Sequence, residues 1–178
     1  MRKEIALLKE FNLSQKGFAF WEIVLALIIL GILAAVAASR INNFDAEVVT
    51  TGADTLKVHL RYAQTMAMNS NPDAGDETVW GISCSGGSYW LFRGTDPDAD
   101  IIRLPDDEKY LNADDSTINL NKKRITVSDF TVFFDERGIS YADYPATPWP
   151  GTIIEVKPSN GNGFTVNIEV TPFTGYVP

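Results

Sequence analysis

From Phe18 to Ala38 the chain reads FAFWEIVLALIILGILAAVAA, twenty-one residues with a single charge, Glu22. At 1.5 Å per residue a helix of that length spans about 31 Å, close to the hydrocarbon thickness of a bilayer. A polar stretch precedes it, with Arg2, Lys3, Lys9 and Lys16 set against Glu4 and Glu10. That basic flank keeps the N-terminal end in the cytoplasm and sends the C-terminal part across the membrane. A secretory signal peptide would want a shorter apolar core with small residues after it, which Ala35 to Ser39 supply; a plain single-pass anchor would want only the span. Neither reading accounts for Glu22, because a carboxylate at membrane depth is unfavourable by about 2.5–3.5 kcal/mol and ordinarily has a partner and a function.

A cut between Gly17 and Phe18 would supply that partner. The new α-amino group of Phe18 stands four residues before Glu22, one helical turn away on the same face. A neighbouring copy shifted by a turn would offer its own amino group instead. Here Lys16-Gly17-Phe18, Glu22 and the run ILGILAAVAA resemble the processing signal of type IV prepilins and type II secretion pseudopilins. The resemblance implies cleavage after Gly17 by a prepilin peptidase and methylation of Phe18. Glu22 becomes the assembly carboxylate, five residues into the mature chain, and Gly31 a helix-loosening glycine. Ala19, Phe20 and Trp21 depart from the family's usual Thr-Leu-Ile, and Ser39 stands where many members have proline.

Beyond Ala38 the pattern turns amphipathic. Ile41, Phe44, Val48, Gly52, Leu56, Leu60, Ala63 and Ala67 step by three or four, the spacing of one helical face, and Asn69-Ser70-Asn71-Pro72 is a stop. One helix of about 50 residues follows, transmembrane over 18–38 and amphipathic over 39–71, with a leader over 1–17 and a β-sheet domain over 72–178. Thr78–Cys84 and Ser88–Arg93 flank the hairpin signal Ser85-Gly86-Gly87. Ile125–Val127, Phe130–Phe134, Thr152–Val156 and Phe164–Val170 complete the strand signals; the last alternates strictly, with Phe164, Val166, Ile168 and Val170 on one face. A helix followed by strands is an α+β pattern. LKVHLRYAQTMAMNSN, WGISCSGGSYWLFRG, FFDERG and VTPFTGYV are similar to minor pseudopilin H and to minor pilins of mannose-sensitive haemagglutinin-type systems. The pilin-like fold this implies is a long helix, half of it transmembrane, packed on an antiparallel sheet.

Other chemistry is sparse. The net charge of −8 argues against nucleic acid as a partner, because phosphate neutralisation needs a basic face. Asp96, Asp98, Asp100 and Asp107 occupy positions 1, 3, 5 and 12 of a calcium-loop register, but Ile101 replaces the turn glycine and Asp107 the bidentate glutamate. A solvated acidic loop is the simpler account, with no cofactor. Cys84 and His59, the sole cysteine and histidine, would have to meet to form a nucleophile pair. Cys84 falls in an apolar strand and His59 on the long helix, where it is expected to cap the edge of the helix–sheet interface, so no enzymatic activity is expected. The resemblance implies a structural subunit, minor pilin or pseudopilin, of a type IV pilus or a type II secretion pseudopilus. Its partners would be the prepilin peptidase, an inner-membrane assembly platform, the membrane and other pilin or pseudopilin subunits. It would be held in the inner membrane with its C-terminal domain in the periplasm, then drawn into a filament. The alternative is an anchored extracytoplasmic binding or adhesion module that never enters one.

The cleavage signal makes a direct prediction. Mass spectrometry of the native protein should find a mature chain beginning at N-methyl-Phe18, and Gly17→Val should leave the precursor uncut. Cleavage after Ala38 instead would make the segment a secretory signal.

Overall fold

A computed structural model describes residues 18–71, 78–106, 108–113, 116–161 and 163–178, with the side chains of 18–19 and 39–44 left aside. Gly17 and Asp107 lie outside these residues. The fold is α+β. Helix α1 runs Phe18–Met68, and the chain divides between Asn43 and Phe44 into two compact units. In the first unit the span Phe20–Ala38 is long and apolar enough to cross a membrane, and a signal sequence passes the same test. Its side chains are exposed throughout, with only Val24 half-buried.

In the second unit α1 buries Val49, Ala53, Leu56, Leu60, Ala63 and Ala67. These positions alternate steps of four and three, which keeps one narrow seam turned to one side. The seam begins one residue away from the expected stripe: Val49 and Ala53 are inside, while Val48 and Gly52 sit half-buried on its flank. Three of its six members are alanine, and the missing side-chain bulk brings strands close to the helix axis.

Those strands form two antiparallel sheets rather than the one anticipated. The first comprises β1 (Trp80–Ser85), β2 (Ser88–Arg93), β3 (Ile101–Ile102), β4 (Ile118–Asn119), β6 (Phe130–Phe134), β7 (Ser140–Asp143) and β8 (Thr147–Pro148). Its order is β3-β2-β1-β6-β7-β8, with β4 also paired to β2. The second is β10-β9-β5, from β5 (Ile125–Val127), β9 (Ile154–Pro158) and β10 (Val166–Ile168). Between β4 and β5 lies the single turn α2 (Leu120–Lys123), where the Asn119 side chain accepts from the Lys122 N–H at 3.0 Å. That is an N-cap. Ile82, Leu91, Val132 and Phe134 of the first sheet and Ile125, Val127, Ile154, Val156 and Ile168 of the second join the α1 seam in one core.

One strand expectation needs correction, and four strands were not anticipated. Phe164 precedes β10 and is 52% exposed, so the alternating run buries only its later members, Ile168 and Val170. β3, β4, β7 and β8 are short strands without a legible period; they are fixed by pairing to longer neighbours.

The outer face of the first sheet carries a second, smaller cluster around Phe92 and Phe133, whose rings meet edge to face at 5.1 Å between centroids. Gly81 sits between them in register, opposite Phe92 on one side and Phe133 on the other. A Cβ there would stand 2.3 Å from the Val132 carbonyl oxygen and 2.4 Å from Cζ of Phe92. The first of these atoms is backbone and cannot swing away. Gly81→Ala should therefore lower stability by about 2 kcal/mol or more, the scale of an overpacked core, read as a drop in the urea midpoint with the slope unchanged.

Candidate functional site

Glu22 lies on α1 one turn after Phe18, with its side chain exposed among exposed apolar neighbours. Phe20 (75%), Trp21 (63%), Ile29 (55%) and Leu33 (58%) show how little of the span is covered. An apolar surface of this extent is not that of a monomer in water; it needs lipid or another apolar surface around it. Glu22 is the one charged residue of the span Phe20–Ala38. Gly17 lies outside the described residues, and Phe18 is placed by its backbone as the first helical residue.

The acidic loop is organised by its own bonds. Asp96 Oδ1 accepts from the Asp98 backbone N–H at 3.0 Å, and Asp100 Oδ2 accepts from Arg93 Nε at 2.8 Å. Trp90 Nε1 donates to the Pro97 carbonyl at 2.8 Å, pinning the loop to β2. Among the described residues no group of three or more His, Cys, Asp or Glu side chains could hold a metal ion. Of the calcium register in the sequence, Asp100 is turned to a guanidinium and Asp96 to a backbone amide, while Asp107 lies outside the described residues.

His59 is fully inside the helix–sheet interface, 2% exposed, and not at its edge. Its Nδ1 faces the Tyr89 hydroxyl at 3.0 Å. Tyr89 pairs across the hairpin with Cys84, yet Cys84 is a buried thiol pushed up to about 12, first by burial and then by the Asp129 charge. A thiol so raised is not a nucleophile at neutral pH.

Sequence reasoning missed the most unusual polar group in the fold. Lys123 Nζ pairs with Asp106 Oδ2 although the two side chains are only 9% and 10% exposed. The same ammonium lies 4.2 Å from the Tyr110 ring centroid, a cation–π contact. These residues border a cavity of about 450 Å³ whose other walls include Val48, Gly52 and Thr55 of α1. The consecutive cations Lys122, Lys123 and Arg124 were the signal available in the sequence, but only the α2 turn brings them against α1. Compared with protein families, curated proteins and solved structures, the chain matches none.

Burial lowers the pKa of His59; the Asp106 charge and the Pro105 carbonyl oppose this, and Lys123 reinforces it. The folded value is below the unfolded 6.5, so the stability that neutral His59 contributes is present above 6.5 and is lost as pH falls toward the folded value. The melting temperature of the full chain in detergent should fall between about pH 7.5 and about 5.5, and His59→Gln should reduce that pH dependence.

Proposed function

We propose that this protein is a pilin-like filament subunit, a minor pilin or pseudopilin, held in the inner membrane by α1 before it is drawn into a helical stack. One observation carries the proposal: a single helix whose first half is an exposed apolar span with a lone carboxylate and whose second half is the spine of a packed α+β unit. An anchor alone has no use for Glu22, and a secretory signal would not continue as the spine of the mature domain.

The mechanism is assembly and assigns no catalytic role to any residue. A peptidase of the prepilin class cuts between Gly17 and Phe18, and an inner-membrane platform extracts the mature chain. Phe18 then carries the only cation able to reach Glu22 within its own span. In lipid near the headgroups Glu22 is tolerable, since it can reach toward water. Packed among the apolar helices of other subunits it is strongly unfavourable unless paired, and a paired charge fixes axial register. Helix-to-helix contacts replace lipid contacts, so the apolar span is never returned to water. The C-terminal unit is carried into the periplasm and onto the filament surface, where the acidic balance of the chain, −8 before the leader is removed, favours solubility over nucleic-acid binding.

Glu22→Ala is the test. The variant should be cleaved and inserted as the wild type is, yet be recovered poorly in filaments when it is the only copy. Wild-type recovery of Glu22→Ala would remove the assembly role. A protein processed and anchored but never found in filaments would instead be an anchored binding module.

A further inference from the structure

The cations gathered by the α2 turn run against the balance of the whole molecule. The chain carries 23 acidic residues against 15 Lys and Arg, yet Lys122, Lys123 and Arg124 all line one cavity of about 450 Å³ beside α1. A volume of that size is in the range of ligand sites. The carboxylates of its lining are Glu47 and Asp106, so three cations face two anions and one positive charge is left over.

The two carboxylates are not equally available. Asp106 is engaged by Lys123, both side chains being nearly buried, and the same ammonium lies against the Tyr110 ring. Lys109 approaches that ring too, 4.6 Å from its centroid, and adds to the positive field. Lys122 donates to the Leu111 carbonyl, a neutral partner that leaves its charge uncancelled. Of the charged residues lining the cavity, the exposed ones are Lys122, Arg124 and Glu47.

Arg124 occupies a backbone position that ordinarily takes another residue. It closes α2 at φ 61 and ψ 30, the left-handed C-cap where glycine is the usual choice. An arginine there fixes a guanidinium at this point of the surface. The next residue, Ile125, reaches α1 because Gly52 has no side chain; a Cβ there would stand 2.6 Å from Ile125 Cδ1. Arg124 is thereby held at a shared wall. It lines this cavity and a neighbouring one of about 280 Å³, whose other residues include Asp45, Asn121, Ser159 and Asn160.

Guanidinium and ammonium groups bind carboxylates and phosphates. A surplus of one positive charge matches a monoanion, whereas a phosphate monoester, at about −1.5 to −2 near neutral pH, would stand against Glu47. Glu47, Thr51 and, across Arg124, the amides of Asn121 and Asn160 are groups that bond hydroxyls. A carboxylate on one side with hydroxyls on the others is the chemistry of a sugar acid. We propose that this cavity binds a uronate ring of an acidic saccharide, its carboxylate on Arg124 and Lys122, with the adjoining sugar in the cavity across Arg124. The site belongs to the C-terminal unit alone, so the inference does not depend on filament assembly.

Titration calorimetry on the full chain in detergent tests it, with glucuronate, a glucuronate trimer, glucose and glucose 6-phosphate as probes. Glucuronate should bind at millimolar concentration or below, less tightly as salt rises, and the trimer should bind more tightly. Glucose should give no heat, and glucose 6-phosphate should bind more weakly than glucuronate. Arg124→Gly supplies the residue that the backbone prefers, so it should melt no lower than the wild type. Its affinity for glucuronate should nonetheless fall roughly tenfold or more, the loss expected for a charged hydrogen bond. Arg137→Gln removes the same charge outside both cavities, at the β6–β7 turn, and should bind as the wild type does. No heat with glucuronate, equal binding of glucose, tighter binding of glucose 6-phosphate, or undiminished affinity in Arg124→Gly each overturns the proposal. A trimer held no more tightly than glucuronate removes the part assigned to the second cavity.

Discussion

The close approach of two sheets to one seam of α1 is the constraint on which the C-terminal unit depends. Ala53, Ala63 and Ala67 alternate with Val49, Leu56 and Leu60, and all six are essentially inaccessible. Small residues lower the helix surface locally, so Ile82, Leu91 and Val132 from one sheet and Ile125 and Ile168 from the other reach the same core. A core packed at this density resists any change of volume, whichever side it comes from. Neither sheet has a second helix behind it among the described residues. The helix therefore serves as the shared wall of both.

Polar groups inside that core give it a single arrangement. His59 on α1 meets Tyr89 on β2, and the Lys123–Asp106 pair closes the neighbouring cavity wall. Buried ionic pairs stabilise little in net terms, because desolvation offsets attraction, but losing one partner is costly. Their effect here is positional: α2 can sit only where Lys123 finds Asp106 and Tyr110. The cavity against α1 is a consequence of that placement. Asp135 plays a similar part at the β6–β7 turn, where its Oδ1 accepts from the backbone N–H groups of Arg137 and Ile139 at 2.9 and 2.8 Å.

If the protein assembles as proposed, the charge on Glu22 acts in a medium that screens it little. In the span, one carboxylate among apolar side chains makes wrong registers unfavourable.

The sequence by itself determined α1 from Phe18, its division into an apolar and an amphipathic half, and the β1–β2 hairpin around Gly86-Gly87. Local period and turn chemistry suffice for such elements, as does the length of the apolar run. It also marked Glu22, because a charge in an apolar span stands out without any fold. Tertiary structure alone decided that His59 is interior, that Asp100 serves Arg93, and that Phe164 is exposed while Ile168 is not. It alone placed Lys123 on Asp106 and turned Phe173 outward at positive φ. Several of these depend on partners far along the chain, seventeen residues for Lys123 and Asp106 and over a hundred for Gln64 and Thr174. No periodicity encodes such separations; they follow from which strands the alanine seam of α1 lets approach.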